Sequence, residues 1–153
     1  MLLARILTAT VIVGNGLVAG VLFSHAIGVW PAMRSLAPDR YIAFHKSFDR
    51  AYDPLMPIIV ITAVICDAVL AVLSADLVPR VLFASSAVAL IASGIVSQTR
   101  NVPINHRVKA LDPAAIPIDW VDPRGEWEKW NHVRTAFAVL ALIGNAAAAV
   151  SAI

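Results

Sequence analysis

The sequence predicts an all-α integral membrane protein. Its expected form is one domain, residues 1–153, folded as a four-helix bundle with an amphipathic interfacial helix in the first long loop. Three observations lead there. Hydrophobic residues make up 59% of the 153 and charged ones only 14%, against roughly 25% charged in a typical soluble domain. The charges fall in blocks that leave four nearly charge-free segments. Each segment approaches or exceeds the ~20 apolar residues that a helix needs to cross hydrocarbon.

The same figures exclude other classes. A soluble globule of this size and mean hydropathy, +0.78, would leave much apolar surface wet. Sparse charge and abundant apolar residues exclude disorder. Cys66 stands alone, so there is neither a disulfide framework nor a C-x-x-C pair. The formal charge of +2 does not point to nucleic acid, because the basic residues are not clustered.

Taken in order, residues 6–33 lie uncharged between Arg5 and Arg34 and predict a first span over about 6–30. That run is about twice the usual h-region length, so it reads as a span rather than a signal peptide. Residues 54–75, charged only at Asp67, predict the second. The third is expected at about 80–99 and the fourth at about 133–153. Backbone groups in lipid must be satisfied internally, which makes all four helices. Ser74–Arg80 is then a tight hairpin, and the connections 31–53 and 100–132 lie on the opposite side.

That long-loop side holds ten of the twelve Lys and Arg residues, leaving Arg5 and Arg80 on the other. The bias predicts long loops in the cytoplasm and both termini outside, with the plasma (inner) membrane as the location. Small residues, including Gly16 and Gly20 in GxxxG spacing and the run Gly144-Asn145-Ala146-Ala147, suit close helix packing within the bundle. A homo-oligomer face is the alternative use of such a pattern.

In the first long loop, Pro38-Asp39 starts a pattern in which Tyr41, Phe44, His45, Phe48 and Tyr52 line one helical face. The helix is either an anchor at headgroup depth or a lid over the bundle mouth. As a lid it would turn His45 inward, with Tyr41 and Phe48 against a substrate.

Polar residues gather at the same end. His25, His45, His106 and His132 all fall at or beyond the long-loop side. Loops hold polar residues anyway, but imidazole is also the usual acid–base group and metal ligand. Ser86, Ser93, Ser97 and Asn101 form a stripe on the third helix, and Asn131, Arg134 and Asn145 share a face of the fourth. Asp67, mid-span, is a functional candidate by its depth. Its plain alternative is a protonated carboxyl hydrogen-bonded to a Ser or Asn of a neighbouring helix.

Two short motifs flank the second long loop. In Asn101-Val102-Pro103-Ile104-Asn105, Pro103 is expected to end the third helix. Further on, Trp127, Trp130 and Arg134 share one face of the run Trp127-Glu128-Lys129-Trp130-Asn131-His132-Val133-Arg134-Thr135. Arg134 could hold a developing oxyanion or snorkel to the headgroups.

These motifs resemble the anthrone oxygenase family of short four-span membrane proteins. The resemblance rests on Asn101, Val102, Pro103 and Asn105, and on Trp127, Trp130, Asn131, Arg134 and Thr135. It implies oxygenation of a small hydrophobic aromatic substrate, anthrone- or polyketide-like, reaching the mouth from the membrane lipid. On that reading His132 or His45 abstracts a proton, and Asn101, Asn105 and Arg134 stabilise the enolate oxygen. Trp127, Trp130, Asn131, Tyr41 and Phe48 would contact substrate. The reaction needs no cofactor if the carbanion meets O₂ directly. Alternatively His25, His45 and His132 bind copper or iron. Two other classes remain: a noncatalytic membrane subunit, and a small proton-coupled transporter built on Asp67.

Overall fold

The structure, a computed structural model, describes residues 2–49, 52 and 54–151, without the Asp49 side chain. Arg50 and the last two residues of the fourth expected span lie outside the described residues. No strand occurs among the described residues.

Helix α1 (Leu2–Ser24) runs through a π turn (His25–Val29) into α2 (Trp30–Arg34). Helix α3 (Pro38–Asp49) fills the first loop, and α4 (Leu55–Leu73) returns through the bundle. Helix α5 (Leu77–Val96) passes through a second π turn (Ser97–Asn101) into α6 (Val102–Ala110). The chain closes with α7 (Arg124–Ser151). Four of these rods are long and apolar enough to cross a membrane: Leu2–Arg34, Leu55–Leu73, Leu77–Ala110 and Arg124–Ser151. Bulky apolar side chains such as Val13, Leu17, Ile58, Ile61, Val88, Ile95, Leu140 and Ile143 point outward. The chain is a four-span membrane protein.

The spans are longer than expected at the long-loop end. Pro103 does not end the third helix, because the π turn before it absorbs one extra residue. A proline breaks a helix by its missing N–H and by its clash with the carbonyl four residues back. A widened turn just upstream moves that carbonyl away. Pro31 follows the first π turn at the same offset, and the first rod likewise continues to Arg34.

Helix α1 packs on α4 and α7, and α5 packs on the same two, so sequence neighbours surround one axis. Along that axis apolar and polar layers alternate. Val11, Cys66, Leu70, Phe83 and Ala148 close the hairpin end. Asn15, Asp67, Ser86 and Asn145, all at most 1% exposed, form the next step along the four helices. Val18, Ala19, Leu22, Ala63, Leu90, Ala138 and Ala141 then restore an apolar layer. Above it come His25, Ser93, Asn131, Arg134 and Thr135, all buried. Trp30, Met33, Tyr41, Ile42, Ile104, Val108 and Trp127 pack together at the mouth.

The expected GxxxG contact is absent from this packing. A methyl group added at Gly16 or Gly20 would meet nothing within 4 Å. Close approach occurs instead at Gly14, against Ile59 and Ala63, and at Gly144, against Ser86. Spacing alone does not say which face of a helix turns inward; the buried Asn15, Val18 and Leu22 decide it here.

Candidate functional site at the bundle mouth

Trp127 is the centre of the mouth. Its indole N–H donates to Asn105 Oδ1 at 2.8 Å, and its carbonyl accepts from Asn101 Nδ2 at 3.1 Å. Trp30 stacks on its ring at 4.4 Å between centroids, tilted by 16°. Asn101 sits at the end of the second π turn and Asn105 one helical turn on, so the continued helix is what brings both amides to Trp127. Within the described contacts, these two asparagines therefore position the tryptophan.

Two polar side chains lie beside the same ring. The Arg134 guanidinium carbon stands 5.3 Å from the Trp127 ring centroid, and the His25 ring centroid lies 6.4 Å from it. Arg134 does not snorkel. Its Nε and Nη2 donate to Asn131 Oδ1 at 3.1 and 2.9 Å, and Nη1 reaches Ser97 Oγ at 3.4 Å. The charge is thus held inside the bundle, 9% exposed. Ser93 donates to the Arg134 carbonyl at 3.0 Å, and Thr135 donates to Asn131 and Leu22 carbonyls, which ties α7 to α5 and α1. His25, first residue of the π turn, is also enclosed by Phe48 and Tyr52, with centroids at 5.2 and 5.3 Å.

Helix α3 covers this group. Tyr41, Ile42 and His45 are buried, and α3 packs on α6 and α2. Tyr41 lies 5.5 Å from the His45 ring. Phe44, expected on the inward face, is 41% exposed but stacks on Phe48. The inward stripe is shifted toward Ile42 because the helix meets two neighbours rather than a flat lipid surface.

Arg124 locks the lid's base. Its Nη1 donates to the carbonyls of Met33, Arg34 and Leu36, and its guanidinium lies 5.0 Å from the Tyr41 ring. Asp122 faces Arg124 through an ion pair at 2.5 Å. Partial burial works to raise the Asp122 pKa, but the hydrogen bonds and charge of Arg124 outweigh it and hold the carboxyl below its ordinary value.

Not every expected residue joins the site. His132 is exposed, with Nδ1 2.9 Å from the Glu128 carbonyl oxygen, the geometry of an Nδ1–H donor. Trp130 sits outside, beneath Arg100 and Lys129. Among the described residues no three His, Cys, Asp or Glu side chains converge on a metal position, so His25, His45 and His132 are not one ligand set. Trp30 and Arg124 are site residues that sequence reasoning missed, whereas Ser97 belongs to the polar stripe expected on the third helix.

A groove of about 270 Å³ runs along α1 and reaches His25, lined by Gly16, Leu17, Gly20, Val21, Ser24, His25 and Tyr52. A larger groove of about 440 Å³ between α1 and α4 has only Thr10 and Thr62 as polar side chains and lies away from the mouth.

Fold and mouth together define a class, the small four-span membrane proteins with a buried polar cluster under an amphipathic lid. Within it, residues 44–144 match the family model described as anthrone oxygenase, and the chain belongs to that family. No curated protein and no solved structure matches it.

Proposed function

We propose that the protein is a membrane oxygenase that converts a small, planar, hydrophobic aromatic ketone of the anthrone type to the corresponding quinone at the bundle mouth. The observation that carries this reading is the presence of a buried guanidinium, Arg134, and a buried imidazole, His25, both beside the Trp127 ring, at 5.3 and 6.4 Å from its centroid. An anthrone has one acidic methylene opposite its carbonyl. Removing a methylene proton places negative charge on the carbonyl oxygen, which a preorganised cation stabilises.

In this scheme His25 accepts the methylene proton and Arg134, oriented by Asn131 and Ser97, faces the enolate oxygen. The carbanion passes one electron to O₂, and the radical pair combines into a hydroperoxide. Loss of water then gives the quinone, so one anthrone and one O₂ yield one anthraquinone and one water. Asn131 Nδ2 and Asn101 Oδ1, both buried with no hydrogen-bond partner among the described residues, supply further polar contacts for substrate. His45, on the lid, is the second candidate base. His132, turned outward, is replaced in that role by His25.

The substrate class fits the setting. A polycyclic phenol dissolves in lipid, and the Gly16–Gly20 groove offers it a sideways entry toward His25. The carrier alternative built on Asp67 finds little support, since apolar layers seal that residue from both ends of the bundle. The lysine and arginine bias supports a mouth on the cytoplasmic face of the plasma membrane.

Turnover of anthrone by the purified protein in lipid nanodiscs tests the reading. His25→Gln and Arg134→Lys should each lower kcat at least about a hundredfold, the range for loss of a general base or an oxyanion partner. Unchanged rates in both variants would overturn it.

A further inference from the structure

One polar group takes no part in the mouth chemistry. Asn15 of α1, Asp67 of α4, Ser86 of α5 and Asn145 of α7 supply one side chain from each spanning rod, and all four are at most 1% exposed. Asp67 Oδ2 accepts from Asn145 Nδ2 at 3.3 Å, and Asn15 also faces the carboxylate. Ser86 Oγ packs against Gly144, the neighbour of Asn145. Four oxygens here have no hydrogen-bond partner among the described residues, Asn15 Oδ1, Asp67 Oδ1, Ser86 Oγ and Asn145 Oδ1, against a single unpartnered amide donor, Asn15 Nδ2.

Charge makes the grouping more specific. Arg134 is the other formally charged side chain among the described buried residues, and an apolar layer separates it from Asp67. When ionised, the carboxylate has no counter-charge in its own layer, in a setting where a buried charge needs one. A hydrogen-bond donor would serve one or two of these acceptors and leave the others. A hard cation serves oxygen ligands of all three kinds present: carboxylate, amide carbonyl and hydroxyl. One carboxylate balances one positive charge, so a divalent ion would leave a net charge in the hydrocarbon.

We propose that Asn15, Asp67, Ser86 and Asn145 form a binding site for a single monovalent metal cation of the sodium class, which ties the four spans together. The site lies on the hairpin side of the bundle and is independent of the oxygenase reading.

Thermal unfolding of the full chain in nanodiscs, titrated with NaCl against choline chloride at constant ionic strength, tests it. Sodium should raise Tm by about 5 °C or more and saturate, as expected for a ligand that binds only the folded state. Ser86→Ala should need at least about tenfold more sodium for half the effect, with Tm in choline unchanged. Asp67→Asn should abolish the sodium dependence. Should Asp67→Asn fail to fold, the wild-type titration and the Ser86→Ala shift decide the matter. Equal Tm in sodium and choline would overturn the proposal, as would a Tm that follows pH alone.

Discussion

Arg134 and Trp127 show how single side chains set this mouth. An arginine near a membrane surface gains most by reaching water, yet Arg134 is turned inward and its donors are taken by Asn131 and Ser97. Trp127 is fixed in turn by Asn105, so Asn105→Ala would leave a buried indole N–H unpaired. That change should cost about 1–3 kcal/mol and alter Trp127 emission, both measurable by unfolding in nanodiscs. Asp122 gives a pH prediction. Its folded pKa is lowered, so its stabilisation of the lid base is present above the ordinary carboxylate value near 4 and is lost as pH falls through the lower folded value. Protease cleavage within residues 37–49 should rise below about pH 4 in the wild type. Asp122→Asn should already be cut faster at neutral pH, with little further pH response; a wild type equally protected at low pH would contradict this.

The two π turns carry the difference between expectation and structure at the scale of elements. Composition and charge placement made four helices and the amphipathic α3 legible, because a long uncharged run has no other stable form in lipid. Strict helical phase drifts beyond each π turn for a physical reason, although the stepwise stripe Ser93, Ser97, Asn101 already puts Asn101 on the inward face. Counting about 100° per residue, Trp30 falls about 80° from the buried Leu22, and Asn101 falls by the same angle from Ser93. One residue absorbed in a widened turn brings each back to within about 20° of the buried face. That is why Trp30 escaped the sequence reading and why Pro103 looked like a helix end. Pro103→Ala removes the reason for the wide turn. A regular helix there would rotate Asn105 away from Trp127, so turnover should fall at least about tenfold and Tm should fall as it does for Asn105→Ala. A variant with full turnover would show that the turn does not position the site.

For the whole molecule, the layered core divides the bundle into a sealed hairpin half and a polar mouth. The sequence placed nearly every mouth residue at the correct end, and the paired motifs led to the correct family. What it could not give was direction. His132 sits beside Asn131 in sequence but projects outward from α7, whereas His25 joins Trp127 from 102 residues away, a contact that no local pattern encodes. The open Gly16–Gly20 face tests sideways entry. A Cβ at residue 20 meets nothing within 4 Å, so Gly20→Leu fills the groove rather than the core: Tm should change little, while KM for anthrone in vesicles should rise at least about fivefold at constant kcat. An unchanged KM would mean that substrate arrives by another path.

Proton abstraction inside the bundle is the central claim, and it can be observed without oxygen. Anthrone mixed anaerobically with the nanodisc protein should give the visible absorption of its enolate anion in one single-turnover phase. Admitting O₂ should then convert that anion to anthraquinone, and His25→Gln should show neither phase. Absence of the anion in the wild type, or its full formation in His25→Gln, would contradict the assignment of the mouth as the catalytic site.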